Sequence, residues 1–201
     1  KGHPQIYVVS DEIYEHINYT GKFCSIGSLP GMENNTITVN GVAKSFAMTG
    51  WRIGYMGAPE FIAKACTKMQ GQVTSAASSI AQRATKAAVE ASPSAIKYMV
   101  DAFQSRRQLV YDLLVAIPGF KLTMPEGAFY FFPDVSDYFG KTLRGQLIKD
   151  ANDLAMYLLA EANMATVTGD AFGNPSCIRL SYATSEDQLK EAIKRIKEAL
   201  A

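Results

Sequence analysis

The chain has 201 residues, of which 48% are hydrophobic and 19% are charged, and its formal net charge is +1. This composition is enough for one large or two small domains with a real core. The balanced charge predicts no nucleic-acid partner, and the lack of a long apolar run predicts no membrane span. Three widely spaced cysteines and two isolated histidines argue against a disulfide framework or a metal site and favour a reducing cytoplasm.

Two short runs near the start predict two strands of an α/β sheet. Residues 6–10, Ile-Tyr-Val-Val-Ser, are apolar and β-branched, as in a buried parallel strand, and Asp11 follows them. Residues 36–39, Thr-Ile-Thr-Val, predict a second strand, which ends at Asn40–Gly41 shortly before Lys44. Because ligands of α/β sheets bind outside the carboxyl ends of the strands, we expect Asp11 and Lys44 to face one crevice.

Four side chains around these strands form a set that one cofactor requires. Lys44 carries an amine that can form a Schiff base with an aldehyde, and Arg52 carries a guanidinium suited to a phosphate. Asp11 can keep a ring nitrogen protonated, and Tyr14 can reach a phenolate oxygen on the same ring. Singly, such a lysine is usually solvated and such an aspartate usually ends a turn. Together, the four groups indicate pyridoxal 5'-phosphate.

The middle of the chain predicts helices. Helical patterns cover residues 60–70 and 78–90, and the Ser-Pro-Ser sequence at residues 92–94 then interrupts them. From residue 95 to residue 117 apolar side chains recur at helical spacing, and Pro118–Gly119 ends that helix. We interpret this apolar stripe as core packing.

The last third predicts a second, α+β unit. The predicted strands are residues 120–124, 128–135, 165–168 and 177–182. Asn152 or Asp153 is the predicted cap of a helix that runs to about Ala162, and Ser185 and Gln188 form a capping-box pattern for the final helix. The inner face of that helix is predicted to consist of Leu189, Ile193, Ile196 and Leu200.

Residues 43–55, Ala-Lys-Ser-Phe-Ala-Met-Thr-Gly-Trp-Arg-Ile-Gly-Tyr, and residues 8–14 resemble class I/II aminotransferases. These are fold-type I enzymes that use pyridoxal phosphate, and the aspartate aminotransferase branch is the most similar. Residues 178–183, Ile-Arg-Leu-Ser-Tyr-Ala, extend the resemblance. It implies that Lys44 is catalytic, that Arg179 binds the substrate α-carboxylate, and that the cofactor is bound by Asp11, Tyr14, Lys44 and Arg52.

Three further positions take their interpretation from the resemblance. By themselves, the stretches around Phe129 and Phe172 predict strand core and a turn. The resemblance instead places both residues near the substrate. Gly41 stands where some relatives have a serine that binds the phosphate, so the phosphate site here must be built differently.

The resemblance also implies an architecture and an activity. Residues 1–94 would be part of the large pyridoxal-phosphate-binding domain of an α/β, fold-type I aminotransferase. Residues 95–117 would connect it to a smaller α+β C-terminal domain at residues 118–201. The family carries a long N-terminal half before this point, so we expect the C-terminal half of a longer enzyme. The implied activity is transfer of an amino group from an amino acid, aspartate or a similar one, to a 2-oxo acid, by a cytoplasmic homodimer when full-length.

Two alternatives remain open. A carbon–sulfur lyase of the same fold needs the same cofactor-binding groups, but it would release pyruvate and ammonia. The chain alone could also be a non-catalytic folding or dimerisation module, because the groups that close the cofactor site are expected in the other half.

Overall fold

The computed structural model describes residue 3 and residues 5–201. Its contacts divide the chain into two compact units, Lys1–Val100 and Asp101–Ala201. The boundary lies inside the helix that the apolar spacing predicts at residues 95–117. The division into residues 1–94, 95–117 and 118–201 remains a prediction.

The first unit contains a three-stranded sheet of β1 (Val8–Asp11), β2 (Thr36–Gly41) and β3 (Gly54–Gly57), in that order. β1 and β2 are parallel and β2 and β3 are antiparallel, so the strand predicted at residues 6–10 does take part in a parallel pairing. The prediction that the first strand is buried is wrong, since Val9 is 66% exposed. Successive side chains of a strand alternate between two faces, and the face that carries Val9 is open to solvent in this chain.

Two helices complete the first unit. α1 (Glu60–Val73) and α2 (Ser79–Glu90) confirm the two predicted helices. The Glu60 and Lys64 side chains, one turn apart on α1, form an ion pair at 2.6 Å. α1 has no buried residue, and α2 buries only Ala81 and Thr85. Much of the apolar surface of both helices is therefore exposed in this chain.

The second unit combines three helices with short strands. A 3-10 turn at Pro93–Ile96 leads into α3 (Lys97–Val115), whose larger part belongs to this unit. β4 (Tyr130–Phe131), β5 (Thr142–Leu143) and β6 (Gln146–Leu147) precede α4 (Ala151–Ala162). β7 (Val167–Thr168), β8 (Ile178–Ser181) and α5 (Glu186–Leu200) follow. One antiparallel sheet has the order β4-β8-β7, and β5 and β6 form a hairpin.

The core of the second unit joins α3, α4, α5 and β8. Side chains that are almost fully buried there include Leu114, Ile148, Leu154, Leu158, Ile178 and Ile196. The Tyr157 hydroxyl on α4 donates a hydrogen bond to the Ala199 carbonyl on α5 at 2.5 Å. Leu189, Ile193 and Ile196 are buried as predicted, whereas Leu200 is only half-buried. In the part of the chain that the structure describes, no helix is both long and apolar enough to cross a bilayer.

Three details of the predicted second unit are wrong. Residues 120–124 form no strand, and only Lys121 makes an isolated bridge, to Asp134. The predicted strand at residues 128–135 shrinks to Tyr130–Phe131, because Ala128 has a φ of 56° and Pro133 has no N–H to donate. The cap of α4 is Asp150, not Asn152 or Asp153, since its side chain accepts the Asp153 N–H.

Candidate active site

Lys44 and Arg52 both lie in the loop that joins β2 to β3. Lys44 is half-buried and begins a turn in which its carbonyl accepts the Ala47 N–H at 3.1 Å. A 3-10 turn at Thr49–Trp51 follows, and the Arg52 Nη1 donates to the Thr49 carbonyl at 3.1 Å. The loop therefore starts and ends on neighbouring strands, which holds the lysine and the arginine at one edge of the sheet.

The base of this loop leaves little room for a side chain at Gly41. Gly41 and Gly54 are paired across β2 and β3. A Cβ atom at Gly41 would lie 3.1 Å from the Ile53 carbonyl oxygen and 3.2 Å from the Ile13 Cδ1. The close approach of the two strands thus favours glycine at position 41.

The same loop contains two backbone conformations that most residues avoid. Six of the described non-glycine residues have a positive φ, and two of them are Ala47 (52°) and Arg52 (53°). A left-handed conformation costs about 1–2 kcal/mol for an ordinary residue. Such strain is concentrated at functional sites, where the surrounding structure holds it in place. The strained loop therefore supports a functional role for the segment from Lys44 to Arg52.

Asp11 and Tyr14 lie at the same edge of the sheet as this loop. Asp11 is the last residue of β1, pairs with Val39 of the parallel strand β2, and has an exposed side chain. Its Oδ1 accepts the Ile13 N–H at 3.2 Å, which starts the turn that contains the half-buried Tyr14. Since β1 and β2 run parallel, their carboxyl ends coincide. The structure thus brings the four predicted cofactor-binding residues to one edge, in one unit.

Arg179 belongs to the second unit, in the middle strand of its sheet. Its neighbours Ile178 and Leu180 are buried, and the half-buried Arg179 alternates with them on the opposite face of β8. Tyr130 pairs with Ser181, two residues along β8, so its side chain shares the face of Arg179. The Arg179 Cζ lies 4.4 Å from the centre of the Tyr130 ring.

A second aromatic ring reaches Arg179 from the turn after β7. This 3-10 turn, Gly169–Phe172, places the Phe172 ring centre 4.1 Å from the Arg179 Cζ. The turn is held by hydrogen bonds from the Gly169 N–H to the Cys177 carbonyl at 2.7 Å and from the Asn174 N–H to the Gly169 carbonyl at 3.1 Å. The predicted Arg179 and Phe172 are therefore in direct contact.

Phe129 lies beside Tyr130, with the two ring centres 4.8 Å apart. It is buried and stacks on Phe103 with ring centres 5.2 Å apart. Its role near the substrate remains a prediction. Sequence analysis missed Tyr130, the next residue, and it missed Phe132, whose ring meets Phe172 edge-on at 6.2 Å. Only the pairing of β4 with β8 shows that Tyr130 lies on the same face as Arg179.

The described residues contain no group of three acidic, histidine or cysteine side chains that could hold a metal ion. Cys24 and Cys66 are exposed thiols, and Cys177 is a buried one. Burial, with a smaller contribution from Asp134, raises the pKa of the Cys177 thiol. The reactive groups of the candidate site are therefore the amine, carboxylate, phenol and guanidinium groups described above.

Two known proteins are similar to almost the whole of this chain. An aspartate aminotransferase of Pinus pinaster is 48% identical over 98% of this chain and 41% of its own length. A bifunctional aspartate aminotransferase and glutamate/aspartate-prephenate aminotransferase of Petunia hybrida is 47% identical over 98% of this chain and 42% of its own length. The chain thus spans less than half of the length of these two relatives.

Solved structures show the same likeness in three dimensions. The aspartate aminotransferase of Rhizobium meliloti has a TM-score of 0.94 and 46% identity, over 98% of this chain and 50% of its own. The aromatic aminotransferase of Pyrococcus horikoshii OT3 has a TM-score of 0.86 and 37% identity, over 96% and 51%. The predicted fold class, part of a fold-type I aminotransferase, is confirmed. The family model for class I and II aminotransferases matches residues 1–196, so the chain belongs to the class I and II aminotransferase family.

Proposed function

We propose that a protein containing this chain transfers an amino group from an amino acid to a 2-oxo acid, with pyridoxal phosphate as its cofactor. The observation that carries the proposal is the sheet edge at which Asp11, Tyr14, Lys44 and Arg52 meet. Relatives named aspartate aminotransferase support aspartate as the amino donor. The family implies pyridoxal phosphate as the cofactor. The chemistry of the four side chains can therefore be compared with the groups that this molecule requires.

The four residues fit pyridoxal phosphate. Arg52 is exposed and uses one guanidinium nitrogen for the Thr49 carbonyl, while a guanidinium has five N–H donors in a planar fork that suits a phosphate. Asp11 is exposed and can place its negative charge beside a protonated ring nitrogen. Tyr14 can donate its hydroxyl to an oxygen on the ring. Lys44 is a primary amine at the same edge, as an aldehyde cofactor requires.

Each residue then has a task that follows from its chemistry. When bound, pyridoxal phosphate supplies an electron-withdrawing ring that stabilises negative charge on the substrate α-carbon. Lys44 Nζ would take the proton from that carbon and deliver it to the carbon that had carried the aldehyde of the cofactor, as a positioned acid–base group. Asp11 would keep the ring nitrogen protonated, and Arg52 would anchor the phosphate. Arg179 would hold the substrate α-carboxylate and so orient the C–H bond of the α-carbon, which is the bond that breaks.

The proposal extends to the assembly and the compartment. The aromatic and apolar side chains that α1 and α2 leave exposed, such as Phe61 and Ile80, would be covered in a protein of the relatives' length or in a homodimer. The exposed thiols of Cys24 and Cys66 fit a reducing cytoplasm. We further propose that residues 1–94 and 118–201 correspond to the large and small domains of such a protein.

The test is Lys44→Ala in a protein of the relatives' length, assayed with aspartate and 2-oxoglutarate. We expect amino transfer to fall by at least about 10²–10⁴-fold, the range that a positioned acid–base group supplies, while the circular dichroism spectrum is unchanged. Lys22→Ala, which removes an exposed lysine of the same unit, is the matched control and should retain activity. Substantial amino transfer by Lys44→Ala would overturn the proposal.

A second assay, with a sulfur-containing amino acid such as cystathionine and no oxo-acid acceptor, separates the lyase alternative. Release of pyruvate, ammonia and the sulfur-containing leaving group in that assay would indicate a carbon–sulfur lyase. The 201-residue chain alone should bind the cofactor weakly and transfer no amino groups, because much of the cofactor would be exposed to water. Full activity of this chain by itself would contradict that expectation, but it would leave the family assignment intact.

A further inference from the structure

We propose that Tyr130 and Phe172 are positioning residues that hold the Arg179 guanidinium in one orientation for the substrate carboxylate. This inference rests on the proposed function, in which Arg179 binds that carboxylate. Neither ring needs to touch the substrate, because both would act through the arginine that they contact. We call these two residues the aromatic pair.

The contacts of the aromatic pair are short enough to restrain the arginine. The guanidinium carbon lies 4.4 Å from the Tyr130 ring centre and 4.1 Å from the Phe172 ring centre. Both distances are well within the roughly 6 Å over which a cation is attracted to an aromatic face. A guanidinium that is attracted to two rings at once has few rotamers that keep both contacts.

The two rings come from independent parts of the backbone. Tyr130 is fixed by the pairing of β4 with β8, where it lies opposite Ser181. Phe172 is fixed by the turn whose Gly169 is bonded to Cys177 at the start of β8, and its ring is also supported edge-on by Phe132. Since both supports are tied to the strand that carries Arg179, the three side chains keep a constant relative position.

A fixed guanidinium changes how tightly a carboxylate binds. A carboxylate binds best when both of its oxygens meet two parallel N–H donors, which requires a defined guanidinium plane. A free arginine loses rotamer freedom when it adopts that plane, and this loss weakens binding. An arginine that is already ordered has little freedom left to lose, so its affinity is higher. The aromatic pair should therefore act on substrate binding and leave the chemical step largely unchanged.

The experiment uses Tyr130→Leu and Phe172→Leu, which remove the rings but keep apolar side chains. In the 201-residue chain, nitrogen-15 relaxation of the Arg179 Nε–H measures the order of the side chain without any catalysis. In a protein of the relatives' length, the assays are the dissociation constant of succinate, an unreactive dicarboxylate, and the KM and kcat for aspartate. We expect lower Arg179 order and about a three- to fivefold rise in both the dissociation constant and KM, with kcat changed less than twofold.

Two variants separate positioning from a general structural effect. Tyr130→Phe keeps the ring, so it should restore the order and the affinity that Tyr130→Leu loses. Phe23→Leu removes a ring of similar exposure, 47% against 45% for Phe172, outside the second unit and should change neither quantity. If the Arg179 side chain stayed ordered in both leucine variants, the inference would be overturned. It would also be overturned if the order of the Arg179 side chain fell while the affinity for succinate stayed the same. If the unmodified protein transferred no amino groups, that result would count against the proposed function alone. The succinate and relaxation measurements would still report on the aromatic pair.

Discussion

Gly169→Ala is the substitution that the structure resists most clearly. A Cβ atom at Gly169 would lie 2.0 Å from the Asn174 carbonyl oxygen, 2.7 Å from the Cys177 carbonyl oxygen and 3.0 Å from the Phe132 Cζ. Two of these three atoms are backbone atoms, which cannot rotate away as the end of a flexible side chain can. The turn that carries Phe172 would therefore have to move as a whole.

The expected loss of stability follows from what the movement breaks. The Gly169 N–H donates to the Cys177 carbonyl at 2.7 Å, and the Gly169 carbonyl accepts the Asn174 N–H at 3.1 Å. Each such hydrogen bond contributes about 1 kcal/mol net, and overpacking adds about 1–3 kcal/mol. The free energy of unfolding of the second unit should thus fall by about 3–5 kcal/mol, out of about 5–15 kcal/mol for a typical domain.

The assay must report on the second unit specifically. The chain has one tryptophan, Trp51, and it lies in the first unit, so its fluorescence is unsuitable. Amide hydrogen exchange in β8 and α5 measures the opening free energy of the second unit directly. The control is Gly71→Ala on α1, because a Cβ atom there would have no neighbour within 4 Å apart from the adjacent helix backbone, and alanine should stabilise the helix by up to about 1 kcal/mol. Amide protection within about 0.5 kcal/mol of the unmodified chain would refute the steric argument, since neutral surface changes have effects of that size.

Two further predictions concern ionisation in the native chain. The Ser136 hydroxyl and N–H both donate to Asp134 Oδ1, at 2.6 and 2.9 Å, and hold the pKa of Asp134 below its usual value. A lowered pKa stabilises the fold above the unfolded pKa of about 3.9 and this contribution disappears as pH falls through the folded pKa. Asp134→Asn should therefore lower the free energy of unfolding by about 1 kcal/mol at pH 7 and by less at pH 3, measured by denaturant titration, and an equal loss at both pH values would contradict this. In a thiol-labelling assay Cys24 and Cys66 should react quickly and Cys177 only on unfolding, because Cys177 is 3% exposed and burial raises its pKa, so a third fast thiol would contradict its placement.

The elements with strong local signals were predictable from the sequence. α5 begins at Glu186 behind the Ser185 cap, whose Oγ accepts the Gln188 N–H at 3.4 Å, as the capping-box pattern indicates. The two strands β1 and β2 were also expected from their composition, although their pairing was not predicted. The prediction of a strand at residues 120–124 was wrong, because the alternation of apolar and polar residues there gives no information about a partner strand. Only Lys121 pairs, in an isolated bridge to Asp134.

The four cofactor-binding candidates illustrate what local sequence can determine. Lys44 and Arg52 are eight residues apart in one loop, and Asp11 and Tyr14 are three residues apart in one turn, so their types and spacing already define each half of the set. Chain direction and the ends of two strands then suffice to predict that the halves meet. No long-range packing has to be known for that inference, apart from the parallel pairing itself.

The sequence by itself therefore determined the family, the candidate reactive groups and the strand ends near which they lie, because each of these depends on residues close together in the chain. Only the tertiary structure decided that Arg179 contacts Tyr130 and Phe172. That contact depends on the register of β4 against β8 and on a turn in which Gly169 leaves no room for a side chain. Register is set by cross-strand packing between segments far apart in sequence, and a shift by one residue would have turned the Tyr130 ring to the opposite face of the sheet.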